Sequence, residues 1–158
     1  MKRILVAGIG NIFFGDDAFG VEVSRRLAGS ALPEGVRVVD FGIRGLDLAY
    51  ALLEGWDAAI LVDAAPRGGA PGTLYVLEPE PDPDAAPSVE THGMDPAKVL
   101  TLVRELGGTP PLVRVVGCEP GPIREDLEMC LSPEVAAAID PAVAMVTDLV
   151  MELGARDA

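Results

Sequence analysis

The sequence predicts a three-layer α/β fold, in which a twisted, mostly parallel five-stranded sheet has helices on both of its faces. Two observations support this prediction. Short segments rich in β-branched residues and leucine alternate along the chain with segments of helical periodicity. The chain also has 158 residues, of which 49% are apolar, and this is enough material for one hydrophobic core. We therefore expect residues 1–158 to form a single domain.

The predicted strands are short apolar segments bounded by turn residues. They cover residues 2–7, 36–41, 58–62, 73–77 and 112–116. Helical segments separate the first three strands, so these strands should be parallel to one another. The fourth strand follows the third with no helix between them, so we expect it to pair antiparallel to a neighbour.

The predicted helices are recognised by their periodicity and by their start and stop signals. They cover residues 18–29, 46–53 and 96–106, and a region that starts at Ser132–Pro133 and ends near Gly154. Asp95–Pro96 is a cap followed by proline at the first turn. Asp140–Pro141 should break and restart the last helix. The residues expected to face the core are Gly20, Val23 and Leu27 in the first helix, and Val99, Leu100, Val103 and Leu106 in the third.

The charge of the chain disfavours two classes of partner. The formal net charge is -13, and such a surface repels phosphate backbones and anionic lipids. We therefore expect neither a nucleic acid nor a membrane as partner. No apolar stretch approaches the roughly 20 residues that a membrane-spanning helix needs. The apolar start of the chain is interrupted by Gly8, Gly10 and Asn11, which favours a buried strand over a signal peptide.

The two cysteines, Cys118 and Cys130, form no CxxC pair. Reduced thiols in a cytoplasmic protein are the simplest interpretation. Cys118 is expected to be a packed residue rather than a nucleophile, because no second histidine is present to activate it.

Polar residues follow several predicted strands at the edge of the sheet where open α/β folds place their sites. Asp16 and Asp17 lie beyond the first strand, Asp63 closes the third, and His92, the single histidine of the chain, follows the fourth. Two carboxylates and an imidazole suit borderline divalent ions such as nickel, zinc, iron or manganese. Such a ligand set leaves coordination positions open for a substrate.

Each of these residues also has a purely structural interpretation. Asp16 or Asp17 could cap the following helix, and a loop histidine such as His92 is often solvated. Asp63 ends a very apolar strand and needs a partner, although a backbone amide would serve. Asp40 precedes two glycines and could either order a loop or contact a substrate.

Several common motifs are absent from the sequence. The segment GIGNIFFG begins like a dinucleotide-binding loop, but Phe13 stands where the third glycine is needed. There is no GK[ST] phosphate loop, no HExxH zinc-protease motif and no GxSxG nucleophile motif. One histidine cannot serve both a catalytic triad and a metal site.

Five blocks, in order, resemble the hydrogenase maturation endopeptidases, and together they extend over about residues 2–153. They are GIGNIFFGDDAFG, DFGIRGLDLAYALLEGWDAAILVDA, APGTLYVLEP, SVETHGMDPAKVL and VVGCEPGPI. The resemblance implies a five-stranded sheet flanked by helices. It also implies an endopeptidase that removes the C-terminal extension of a nickel-iron hydrogenase large-subunit precursor after nickel insertion.

The resemblance further assigns roles to individual residues. It implies that Asp17, Asp63 and His92 contact the metal, and that Asp40 matches an acidic residue of the Gly-rich segment after the second strand. Asp17, Asp40 and His92 are the candidate catalytic residues. Nickel would be carried by the substrate, and no organic cofactor is expected. Peptide cleavage could proceed through a metal that polarises the carbonyl or activates water, or through a carboxylate base.

Two alternative functions remain open at this point. A non-catalytic nickel-sensing chaperone of the same precursor would keep the ligands without cleaving the chain. A nucleotide-binding module is suggested by the first strand and its glycines, but the missing third glycine disfavours it. The sequence names neither the partner hydrogenase nor the oligomeric state.

Overall fold

The computed structural model of the protein describes residues 2–12, 15–81, 95–122 and 130–155. The strands are β1 (Ile4–Ile9), β2 (Val36–Gly42), β3 (Ala58–Ala64), β4 (Leu74–Leu77) and β5 (Leu112–Cys118). The helices are α1 (Phe19–Ala28), α2 (Gly45–Leu52), α3 (Pro96–Glu105) and α4 (Pro133–Ala155), and a short 3-10 helix, Gly15–Ala18, precedes α1.

The five strands form one sheet in the order β2-β1-β3-β5-β4. β1 pairs parallel with β2 and with β3, and β3 pairs parallel with β5. β4 pairs antiparallel with β5, so Leu74 lies opposite Cys118. The predicted parallel arrangement of the first three strands and the antiparallel fourth strand are both confirmed.

Helices cover both faces of the sheet, which confirms the predicted three layers. Because side chains alternate along a strand, each central strand contributes to both faces. The face under α1 and α4 contains Ile4, Val6, Ile60, Val62 and Val116, together with Val23, Leu27, Ile139 and Val146 from the helices. The face under α2 and α3 contains Leu5, Ala7, Leu61, Val113 and Val115, together with Leu48, Leu52, Val99 and Val103.

Two glycines bring the start of α1 close to the end of the sheet. A Cβ atom at Gly20 would lie 2.2 Å from the carbonyl oxygens of Ile9 and Val62, so no larger residue fits there. At Gly10, φ is 144° and a Cβ atom would lie 1.8 Å from the Asp17 carbonyl oxygen. Gly10 thus permits the close approach of Asp17 to the end of β1, and Gly20 permits that of α1 to the ends of β1 and β3.

The predicted break of the last helix at Asp140–Pro141 is wrong, because α4 continues through Pro141. Proline removes one helical hydrogen bond, at a cost of about 3 kcal/mol in a helix interior. The same face of α4 is buried on both sides of the proline, at Ile139 and Ala142, and Pro141 itself is exposed. Burial of this continuous apolar face therefore outweighs the lost bond.

The predicted inward position of Leu106 is also wrong, because α3 ends at Glu105 and Leu106 is 38% exposed. The other helix boundaries agree with their start and stop signals: the Asp95 side chain accepts a hydrogen bond from the Ala97 amide, and Gly29 follows the end of α1. Within the described ranges, no helix combines the length and apolarity required to cross a bilayer.

Candidate functional site

A cleft of about 290 Å³ lies beyond the carboxyl ends of β1, β2 and β3. β1 lies between β2 and β3 in the sheet. The connection from β1 to β2 therefore runs to one side of β1, and the connection from β2 to β3 crosses to its other side. Open α/β sheets bind their ligands at such a switch point. The cleft is lined by Ile9, Gly10, Asp17, Gly42, Ile43, Asp63, Ala64, Ala65, Pro66, Asp95 and Pro96.

Asp63 is the buried acid of this cleft. It is the penultimate residue of β3 and is only 6% exposed. Burial raises its pKa well above the usual range, the negative charge of Asp17 raises it further, and a hydrogen bond from the Ala64 amide opposes these effects. A carboxyl group in this environment gains from any positive charge that enters the cleft.

Asp17 enters the cleft from the 3-10 helix that follows β1. Its Oδ2 accepts a hydrogen bond of 2.8 Å from the Asn11 amide, which holds the carboxylate against the turn after β1. Partial burial raises its pKa, and the Asn11 bond partly offsets this rise. The side chain caps no helix, because the residue that caps α1 is Ala18 and it makes no side-chain cap bond.

The structure therefore brings together two of the three residues that the sequence predicts as metal ligands. Asp17 and Asp63 line one cleft, and the charge of the first acts on the second. His92 lies outside the described residues. Within the described ranges, no three His, Cys, Asp or Glu side chains are grouped closely enough to hold a metal ion. The predicted roles of Asp17, Asp63 and His92 as metal ligands stay predictions.

Asp16 is not among the lining residues of the cleft, and it connects three parts of the chain. Its Oδ1 accepts a hydrogen bond of 2.6 Å from the Ser132 amide, and its Oδ2 accepts bonds from the Gly121 amide (2.8 Å) and the Ser132 hydroxyl (2.9 Å). Asp16 therefore joins the segment after β1 to the start of α4 and to the segment after β5. The interpretation of Asp16 as a cap of α1 is wrong, because α1 has no side-chain cap bond and the Asp16 carboxylate instead holds Ser132, the residue that precedes α4.

Asp40 makes a local contact at the end of β2. Its Oδ1 accepts a hydrogen bond of 2.9 Å from the Gly42 amide, and the residue is exposed. Gly42 lines the cleft, whereas Asp40 is not among the lining residues. The loop-ordering interpretation of Asp40 describes this contact, and its catalytic role stays a prediction.

Asp95 was predicted only as the cap of α3, yet it also lines the cleft and raises the pKa of Asp63. The sequence around Asp95 predicts the helix cap but not its place in the cleft, because no local pattern shows that α3 begins next to the end of β3.

Glu119 is a buried acid that the sequence reasoning missed. It follows β5 directly and is 6% exposed. The signal was available, since Glu119 ends the apolar run of β5 as Asp63 ends that of β3. Cys118, next to it, is fully buried, and burial raises its thiol pKa to about 11. This is consistent with the prediction that Cys118 is a packed residue.

Comparisons with known proteins agree with this architecture. The family model described as hydrogenase maturation protease matches residues 21–149. Hydrogenase expression/formation protein HupD of Rhodobacter capsulatus is 36% identical over 146 residues, which cover 90% of this chain and 69% of that protein. The hydrogenase 2 maturation protease of Escherichia coli is 34% identical over 157 residues, covering 96% and 93%. The solved structure of the hydrogenase maturating endopeptidase HybD from E. coli superposes with a TM-score of 0.76, at 33% identity, covering 96% and 94%.

Proposed function

Because the chain belongs to the hydrogenase maturation protease family, we propose that it removes the C-terminal extension of a nickel-iron hydrogenase large-subunit precursor after nickel has been inserted. The partner is then the precursor itself, and the reaction is hydrolysis of one peptide bond. The observation that carries the proposal is the position of Asp17 and Asp63 in one cleft at the carboxyl ends of the strands.

The charge of this cleft supports recognition of a metal-loaded substrate. Burial raises the pKa of both Asp17 and Asp63, so holding both side chains ionised in the empty cleft is unfavourable. A divalent cation near both carboxylates favours their ionised forms. Nickel held by the precursor supplies such a cation, whereas a precursor without nickel does not. We therefore assign the discrimination between loaded and empty precursors to these two side chains.

His92 completes the proposed ligand set on the basis of the sequence resemblance. One imidazole nitrogen and two carboxylate groups suit nickel, and three protein ligands leave positions for the ligands that the precursor provides. The nickel accordingly belongs to the substrate, and the proposal contains no organic cofactor.

Two routes to peptide hydrolysis are compatible with these residues. In the first, a carboxylate takes a proton from the attacking water, and Asp17 suits this role because it lines the cleft and its raised pKa lies nearer to neutral pH. Asp40 is the second candidate base, although its carboxylate already accepts the Gly42 amide. In the other route, the substrate's metal polarises the scissile carbonyl, and His92 and the carboxylates only orient the substrate.

A cleavage assay tests the proposal directly. Nickel-loaded precursor is incubated with the wild-type protein, and mass spectrometry should show the loss of the C-terminal extension, whereas nickel-free precursor should keep its mass. Asp17→Asn, Asp63→Asn and His92→Ala should each abolish processing, with unchanged far-ultraviolet circular dichroism, because each substitution removes either the negative charge or the imidazole that would bind the substrate's metal.

Asp47→Asn is the matched control, because it removes an exposed carboxylate of α2 whose contact is an ion pair with Arg44 outside the cleft. This variant should process the precursor at the wild-type rate. Full activity of His92→Ala would contradict the ligand assignment. Tight binding of loaded precursor without any loss of mass would replace the peptidase by a nickel-sensing chaperone.

A further inference from the structure

Glu119 is a buried carboxylate that the proposed cleavage reaction does not use. Its Oε2 accepts a hydrogen bond of 2.7 Å from the Arg67 amide, and its Oε1 accepts one of 3.3 Å from the Gly68 amide. Among the ion pairs between described residues, none involves Glu119. Backbone dipoles therefore compensate its buried charge, and such a group is expensive to bury unless those bonds are maintained.

The two amides belong to the loop, residues 65–73, that connects β3 to β4. Gly68 has φ of 85°, and successive amides around such a residue can point into one concavity that holds an anion. The Glu119 carboxylate fills this position from the neighbouring strand. It thus acts as an internal anion around which the loop is folded.

Main-chain bonds fix the two ends of the same loop. At its start, the Ala65 amide donates to the Cys118 carbonyl (3.1 Å), and the Tyr75 hydroxyl donates to the Ala65 carbonyl (2.7 Å). At its end, the Gly72 amide donates to the Glu119 carbonyl at 2.8 Å. Residues 66–71 between these ends are all exposed, so hydrophobic burial contributes little to their position. The Ala70 carbonyl accepts bonds from the amide and hydroxyl of Thr73, and the Arg67 guanidinium lies 5.3 Å from the centre of the Tyr75 ring. The Glu119 side chain holds the backbone amides of Arg67 and Gly68, next to the part of the loop that lines the cleft.

The start of this loop is a wall of the cleft. Ala65 and Pro66 line the cleft beside Asp63, and Pro66 directly precedes the first amide that Glu119 holds. Loss of the carboxylate frees the Arg67 amide and, with it, the wall at Pro66. The position of Asp63 should change less, because Asp63 lies within β3, which pairs with strands on both sides.

We infer that Glu119 is a positioning residue that sets the affinity for the substrate peptide by holding residues 65–68 as a wall of the cleft. This inference rests on the proposed function, because it assigns the substrate of the cleft as the precursor's C-terminal segment. Ordering the wall before the substrate arrives reduces the entropy lost on binding. The contribution should therefore be to KM, since the groups that perform the cleavage remain in place.

The test compares Glu119→Ala and Glu119→Gln with the wild type in the processing of nickel-loaded precursor. Glu119→Ala should raise KM about tenfold, with kcat within about twofold of wild type. The reason is that the loop wall contributes equally to binding of the substrate and of the transition state, so its loss weakens binding without slowing the chemical step. Glu119→Gln keeps one acceptor oxygen and the shape of the side chain, so its KM should lie between those of the wild type and the alanine variant.

Asp57→Ala is the matched control. The Asp57 carboxylate also accepts a backbone amide, from Arg3 at 2.7 Å, but it lies at the opposite, amino-terminal end of β3. Its loss should lower the melting temperature without a change in KM. Amide exchange measured by nuclear magnetic resonance should show faster exchange at Arg67 and Gly68 in the Glu119 variants, and unchanged exchange there in Asp57→Ala.

The outcomes separate this inference from the proposed function. An unchanged KM in Glu119→Gln and Glu119→Ala, or a fall in kcat with no rise in KM, would overturn the positioning role while leaving the peptidase intact. If Glu119→Ala does not fold, Glu119→Gln decides alone, and wild-type KM in that variant overturns the inference. If the wild-type protein fails to cleave loaded precursor, the proposed function is wrong, and the amide exchange of Arg67 and Gly68 still tests whether Glu119 orders the loop.

Discussion

The Asp16 carboxylate accepts hydrogen bonds from both the backbone amide and the hydroxyl of Ser132, at 2.6 and 2.9 Å. Ser132 lies 116 positions further along the chain and immediately precedes α4. Asp17, which directly follows Asp16 in the chain, instead lines the cleft. Two consecutive aspartates thus have different contacts, since Asp16 attaches the segment to the start of α4 and Asp17 lines the cleft.

Asp16→Ala should destabilise the protein. The substitution leaves the amides of Gly121 and Ser132 without their acceptor, and the loss of hydrogen bonds to a charged group should lower the free energy of unfolding by about 3 kcal/mol. Equilibrium unfolding in urea measures this change. Asp16→Asn keeps one acceptor oxygen and should lose only part of this stability. A urea midpoint equal to that of the wild type for Asp16→Ala would show that the hydrogen bonds of Asp16 contribute nothing to stability.

Asp63→Asn should change how stability depends on pH. Burial, followed by the charge of Asp17, raises the folded-state pKa of Asp63 above its ordinary value of 3.8, so the folded protein binds this proton more tightly than the unfolded chain. The stability that this group contributes is therefore fully present below pH 3.8 and is lost as the pH rises through the folded-state pKa.

Asparagine cannot ionise, so the Asp63→Asn variant does not lose this stability as the pH rises. The free energy of unfolding of Asp63→Asn, relative to wild type, should rise as the pH increases from about 4 to 8. Urea unfolding at several pH values checks this. Two curves that stay parallel over the whole range would mean that Asp63 has the same proton affinity in both states.

Cys118 should resist alkylation in the folded protein. It is fully buried and its pKa is raised to about 11, so the reactive thiolate is scarce near pH 8, whereas Cys130 is exposed. Mass spectrometry after treatment with iodoacetamide should show one adduct in native buffer, located at Cys130, and two adducts in denaturant. Equal modification of both cysteines in the native protein would contradict the buried position of Cys118.

Gly20→Ala should weaken the attachment of α1 to the sheet. The added methyl group would lie 2.2 Å from the carbonyl oxygens of Ile9 and Val62, and relief of this overlap should cost about 2 kcal/mol or more. Gly29→Ala is the control, because the nearest atom to its Cβ position is 3.7 Å away. Thermal unfolding should show a lower melting temperature for Gly20→Ala and little change for Gly29→Ala. Equal melting temperatures of the two variants would mean that α1 can shift away from the sheet without a loss of stability.

The layers of the fold and the edge of the sheet that carries the site could both be predicted from local patterns. Short apolar segments bounded by turn residues mark the strands, because the central strands are buried on both faces of the sheet. Helical periodicity marks α1 and α3, because each helix buries one face. The rule that ligands bind at the carboxyl ends of parallel strands then pointed to Asp16, Asp17, Asp63 and His92, and the family resemblance chose Asp17 over Asp16. Asp17 and Asp63 do line one cleft.

Contacts between distant segments could not be predicted in this way. The partner of Asp16, the amides held by Glu119 and the position of Asp95 beside Asp63 depend on which loops meet after the strands have assembled. The continuity of α4 through Pro141 has the same origin, since burial against the sheet overrides the local preference of proline. Periodicity reports how one segment folds, whereas these relationships arise from packing between segments, and only the assembled tertiary structure specifies that packing.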